Sequence, residues 1–220
     1  MLKKFLSLSK KMNSISLNMN HINYKAENIK EILESDVSYL IPEKKINKIS
    51  IAPMMDITNV HYRFLMRQLT RCTTLWTEMY HHNAILFNVN GSEFYMRYNQ
   101  LEHPVTVQFG GCDPEALAKC AKIALDMGYD EINLNCGCPS PKVTKGSFGA
   151  CLMKEPEIVA SCIKAMKEAV EYKIPVHVKC RIGVDEFDDY DFLKRFVTEI
   201  YDKSGNTHWH VHSRKAFLKG

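Results

Sequence analysis

From Ile49 to Arg214, short apolar runs alternate six times with capped helical stretches, and this alternation constrains the fold more than any other feature of the chain. Repeated strand-helix-strand units imply a parallel sheet, because each parallel connection needs a crossover of a dozen or more residues. The predicted strands are the run Ile49-Ser50-Ile51-Ala52 closed by Pro53, then Thr74 to Met79, the run around Val105, Val107 and Phe109, the run Tyr129 to Asn135, Val176 to Arg181, and Thr207 to Arg214. Between them Thr58 is expected to cap a helix carrying Phe64, Leu65 and Leu69 on one side. Asp113 and Pro114 open a helix that Gly128 stops. Pro156 starts a third, and Asp188 or Asp189 caps a fourth bearing Phe192, Phe196 and Ile200.

Two parallel α/β folds share this alternation, the open doubly wound sheet and the TIM (β/α)8 barrel. No G-x-G-x-x-G follows the first strand, which argues against a dinucleotide crevice. Polar residues fall late in the strands instead: Gln108, Asn133, Asn135, Lys179, Arg181, His210, His212 and Arg214. Each alone is an ordinary solvated or core residue, but their shared register is how a barrel builds the mouth of its site. The predicted fold class is therefore α/β, a TIM (β/α)8 barrel of which about six βα units are present.

The stretch Asn133-Leu134-Asn135-Cys136-Gly137-Cys138-Pro139-Ser140 is the focus of that mouth. Its strand pattern meets Gly137 and Pro139, which cannot continue it, so a thiol stands at a strand's carboxyl end. That address favours chemistry for Cys138, although a cysteine is more often a small core residue. The Cys136-x-Cys138 spacing has no second Cys/His pair at zinc-finger distance, so no metal is expected. With 8 Cys scattered through 220 residues, free thiols in a reducing compartment fit better than a disulfide framework.

Composition bounds the rest. A hydrophobic content of 45% suits one globular domain plus a tail, the formal charge of +4 is compatible with a polyanionic partner without requiring one, and no run of eighteen apolar residues spans a membrane. Residues 1–48 read as an N-terminal extension, disordered or targeting: Lys3, Lys4, Lys10 and Lys11 precede the first acid, Glu27, and a short helix over Ala26 to Leu33 is expected. The absence of Arg there favours an ordinary extension and a cytoplasmic protein over mitochondrial or plastid import.

Ala52-Pro53-Met54-Met55-Asp56, Gln108-Phe109-Gly110-Gly111, Asn133 to Ser140, Gly149-Ala150-Cys151-Leu152-Met153, Val178-Lys179-Cys180-Arg181-Ile182-Gly183 and His212-Ser213-Arg214-Lys215-Ala216 together resemble the tRNA-dihydrouridine synthases, closest to the bacterial A-type subgroup. The resemblance implies a TIM barrel over residues 49–220 that holds FMN, takes electrons from NADPH and acts on tRNA. It implies Pro53, Met54 and Met55 along the isoalloxazine, Gln108, Lys179 and His212 as its hydrogen-bonding partners, Asn135 against the target uridine, and Cys138 as proton donor. Cys136, Cys180 and Ser213 depart from the residues usual in that family, without removing a role. The chain is also short for the resemblance: two further strands, the expected phosphate site and a helical tRNA-binding domain would lie beyond it. A flavin reductase of a free pyrimidine or other small enone, and an inactive RNA-binding remnant, are the competing expectations.

Overall fold

The computed structural model describes residues 49–218. The extension 1–48, with the helix expected at Ala26 to Leu33, lies outside the described residues. Six strands form one wholly parallel sheet in which spatial order equals chain order: β1 (Ser50–Ile51), β2 (Thr74–His81), β3 (Val105–Gly110), β4 (Glu131–Cys136), β5 (Val176–Arg181) and β6 (Trp209–His212). The result is an open half-barrel, with β1 paired only to β2 and β6 only to β5 among the described residues. Helices α1 (Val60–Leu69), α2 (His82–Leu86), α3 (Gly91–Tyr95), α4 (Pro114–Met127), α5 (Pro141–Lys145), α6 (Pro156–Ala169) and α7 (Tyr190–Ser204) fill the connections. No described helix is long and apolar enough to cross a membrane.

Strand alternation divides the sheet into two faces. Val105, Val107, Phe109, Ile132, Leu134, Cys136, Val178 and Cys180 belong to one buried cluster with Leu117, Ala121, Ala124, Val159, Cys162, Met166, Phe196 and Ile200 of α4, α6 and α7. Each fully buried aliphatic side chain there contributes about 1.5–3 kcal/mol. The opposite face carries Thr106, Gln108, Asn133, Asn135 and His177, all buried and hydrogen-bonded to one another or to Glu131. A polar inner layer of this kind orients side chains; the apolar layer outside it supplies the cohesion.

Helix α4 follows its sequence signals closely. The Asp113 carboxylate accepts from the amides of Glu115 and Ala116, Pro114 opens the helix, and Gly128 ends it in the left-handed region at φ 87°. Helix α7 is capped by Asp189, which accepts from Phe192 N at 2.7 Å.

Helix α1 departs from expectation. Its cap is Asn59, whose side chain accepts from the amides of His61 and Tyr62, while Thr58 turns back to bond Met54. Phe64, Leu65 and Leu69 face outward at 39%, 58% and 73% exposure, and the buried residue is Arg63. The guanidinium donates to Glu102 at 2.6 Å and to the carbonyls of Thr58 and Arg97, and Arg67 donates to the carbonyls of Thr70, Thr73, Glu102 and Pro104. This helix is held to the segments that precede β2 and β3 by charged hydrogen bonds, so an apolar stripe misreads which way it faces.

Candidate active site

The carboxyl ends of the strands converge on a cavity of about 310 Å³ lined by Pro53, Met54, Met55, Gln108, Asn135, Cys138, Lys179 and His212, together with Ala52, Met79, Gly137, Pro139 and Arg181. The eight site residues that the family resemblance implies thus share one cavity. Asn133, His210 and Arg214 share the strand-end pattern but do not line it. Asn133 lies one step deeper and fully buried, His210 turns toward Trp76 and His177, and Arg214 is exposed beyond β6.

The Pro53–Met55 segment leaves β1 and is pinned twice. The Thr58 hydroxyl accepts from Met54 N at 3.0 Å and donates to Met54 O at 3.1 Å, and Asp56, at φ 61°, donates its amide to Glu78 Oε1 at 2.7 Å. Met79 reaches the cavity because the β2–β3 register shifts between Trp76 and Met79, leaving Met79 opposite Gln108. A methionine in a strand ordinarily signals core, so composition alone could not single it out.

The thiol turn is fixed from three sides. Asn135 Oδ1 accepts from Gly137 N at 3.1 Å and Cys138 N at 2.9 Å, Arg181 Nε donates to Gly137 O at 2.9 Å, and Ala150 N donates to Cys138 O at 2.9 Å. Gly149 makes the last bond feasible: at φ 74°, a Cβ there would lie 2.6 Å from Cys138 O and 2.3 Å from Val143 Cγ1. Cys138 is half-buried at the cavity wall. Its neighbour Cys136 is fully buried in the sheet-helix core, where burial pushes its thiol well above the ordinary range. The two thiols therefore occupy different environments.

Charge at the site is positive and partly desolvated. Burial lowers the Lys179 pKa, with the nearby Arg181 acting in the same direction, and the ammonium makes no hydrogen bond to another described residue. His212 is lowered by burial and then by Arg181, Lys179 and Arg214. Such a set stabilises negative charge arriving in the cavity. Arg181 was visible in the sequence only as one more polar strand-end residue; its hold on Gly137 needed the three-dimensional turn.

Comparison with known proteins gives the family. Residues 50–218 match the family model described as dihydrouridine synthase (Dus). The chain is 50% identical over 173 residues to a tRNA-dihydrouridine(20/20a) synthase of Vibrio parahaemolyticus, covering 79% of this chain and 52% of that protein. It is 50% identical over 181 residues to one of a Synechocystis strain, covering 82% and 53%, and 50% identical over 173 residues to one of Escherichia coli, covering 79% and 51%. The chain spans about half the length of the curated relatives it matches. With its family model matched from β1 to beyond β6, the chain belongs to the dihydrouridine synthase family.

Proposed function

We propose that residues 49–220 form the flavin-binding part of an enzyme that reduces a uridine of tRNA to 5,6-dihydrouridine, with NADPH as electron source and residues 1–48 as an extension. The observation that carries this reading is the convergence of Pro53, Met54, Met55, Gln108, Asn135, Cys138, Lys179 and His212 on one cavity. The names of the relatives, tRNA-dihydrouridine(20/20a) synthases, support the substrate.

The residues present suit FMN. Pro53, Met54, Met55 and Met79 offer an apolar wall to a planar ring. Gln108 spends one N–H on Asn133 and one lone pair on Asn135, which leaves one of each for a ring edge. Lys179 brings an ammonium without a hydrogen-bond partner among the described residues, and His212 brings a second donor. When bound and reduced, FMN would supply hydride to C6 of uracil.

This chain's own task is to hold the base and deliver the proton. Asn135 keeps one N–H beyond its bond to Gln108, and that hydrogen would orient a uracil carbonyl. The Cys138 Sγ–H would give its proton to C5, the position that becomes carbanion-like once C6 accepts hydride. Lys179 would hold negative charge at the ring edge. A uridine in folded tRNA must be turned out to enter such a cavity. Lys142 and Lys145, exposed on α5 just after the thiol turn, are placed for phosphate contacts.

The test is single-turnover reduction of unmodified tRNA by the full-length protein. Cys138→Ala should cut dihydrouridine formation by on the order of a hundredfold, the usual scale for losing a general acid, while reduction of the bound flavin by NADPH continues. A full-length protein that takes up no FMN, or a Cys138→Ala variant with unchanged tRNA reduction, would overturn the reading.

A further inference from the structure

We propose that His177, with Glu131 behind it, is a positioning residue: it terminates a one-way hydrogen-bond relay that starts from the cavity-facing amides of Asn135 and Gln108 and runs through the inner face of the sheet, and it holds Asn133, and through it Gln108, in place behind the cavity. The inference rests on the proposed reading for what those two amides hold, but not for the existence of the relay.

The direction of every bond follows from one end. The amides of Gly137 and Cys138 can only donate, so the Asn135 atom they share, at 3.1 and 2.9 Å, is an oxygen. The other terminal atom of Asn135 is then nitrogen, and it donates to Gln108 Oε1 at 2.8 Å. Gln108 Nε2 must in turn donate to Asn133 Oδ1 at 2.7 Å, and Asn133 Nδ2 to His177 Nδ1 at 2.8 Å. An imidazole nitrogen that accepts carries no proton, so the ring proton sits on Nε2, which faces Glu131 Oε2 at 3.3 Å. Glu131 also accepts from Thr106 Oγ1 at 2.9 Å. The relay crosses β4, β3, β4, β5 and β4 in turn, and Asn133 and His177 are fully buried. Burial lowers the His177 pKa, and for Glu131 the bonds from His177 and Thr106 outweigh burial and lower it too, so the ring is neutral and the carboxylate ionised.

Asn133 Nδ2 also donates to the His177 carbonyl at 3.1 Å, so without the ring acceptor one N–H of Asn133 keeps a partner and the other is left buried and unpaired. Asn133, and Gln108 bonded to it, would then shift, while Asn135 stays held by the amides of Gly137 and Cys138. The same logic removes a competing reading. The rings of His177, His208 and His210 have nitrogens within 4.8 Å of one another, a set that could hold a metal ion. His177 has no lone pair left for a metal, because Nδ1 accepts from Asn133 and Nε2 is protonated toward Glu131.

The experiment is ¹⁵N NMR of the full-length protein labelled in histidine rings and side-chain amides, with His177→Leu and His177→Gln variants. His177 should be the neutral Nε2–H tautomer at pH 7, and zinc added alone should leave its signals in place. His177→Leu should move the amide signals of Asn133 and Gln108 and weaken FMN binding roughly 2- to 10-fold, the scale of one net hydrogen bond. His177→Gln, whose amide can accept from Asn133 and donate to Glu131, should restore both. A proton on Nδ1, an imidazolium at pH 7, a zinc-bound His177, or unmoved Asn133 and Gln108 amides in His177→Leu would each overturn the relay. If the Leu variant does not fold, the wild-type tautomer and its response to zinc decide. Absence of FMN binding in the wild type would defeat the proposed function while leaving the relay to be judged on the tautomer and amide signals.

Discussion

Removing the carboxylate of Glu102 should cost this fold more than almost any other single polar change. Arg63 and Glu102 have 1% and 0% of their side chains exposed and meet at 2.6 Å. Glu102→Gln keeps the shape but removes the negative charge that balances the buried guanidinium, leaving it only neutral acceptors such as the carbonyls of Thr58 and Arg97. Breaking a buried pair by removing one partner costs about 3–5 kcal/mol, a large share of the 5–15 kcal/mol by which domains are usually stable. At roughly 2–4 °C per kcal/mol for a domain of this size, the melting temperature should fall by roughly 6–20 °C. Arg63→Met combined with Glu102→Leu removes both charges and should recover more than half of that loss, because an apolar pair of similar volume pays no desolvation of charge. Urea denaturation of wild type, both single variants and the double variant gives the coupling directly. A coupling below about 1 kcal/mol, the range of exposed pairs, would refute the view that this pair anchors α1.

Three further outcomes are expected. Gly149→Ala places a Cβ 2.6 Å from Cys138 O in a left-handed backbone and should cost about 1–3 kcal/mol; a melt within error of wild type would contradict the role given to Gly149. Cys136→Val should leave both stability, within about 1.5 kcal/mol, and tRNA reduction nearly unchanged, since Cys136 is a core residue outside the cavity; a loss matching Cys138→Ala would reverse the two assignments. His210 is pushed down to about 4, first by burial and then by His177, His208 and Lys179 against Glu131. Its folded pKa lies below the unfolded value, so between pH 6.5 and about 4 the unfolded chain binds a proton that the folded one refuses, and stability falls as pH drops through that window. His210→Phe should flatten this acid limb in urea midpoints measured from pH 7 to 4, and an unchanged limb would show that His210 does not contribute to it.

Much of the site was legible because it is written in strand ends. Strand β5 begins and ends where the pattern of Val176 to Arg181 puts it, and α4 obeys Asp113, Pro114 and Gly128. These signals are local, set by backbone sterics and capping within a turn. Helix α1 was misread because its orientation depends on Glu102, 39 positions from Arg63, and no periodicity carries that partner. The role of Met79 depends on a register shift against β3, and that of Arg181 on a carbonyl 44 positions away. His177 was invisible for a related reason: a histidine early in a strand reads as core until the donors facing it are known.

The order of the sheet has a consequence for how the protein is made. Because β1 to β6 lie side by side in the sequence in which they leave the ribosome, each new strand finds its partner already synthesised and next in line. None of the six described strands must wait for a distant segment, so their contacts close over one βα unit at a time and the entropy of loop closure stays low at each step. Growth on a finished edge also means that the Gln108, Asn133 and His177 layer is laid down in three successive additions, β3, β4 and β5. The sheet order thus allows the cavity's polar floor to form strand by strand before β6 brings His212 to its rim.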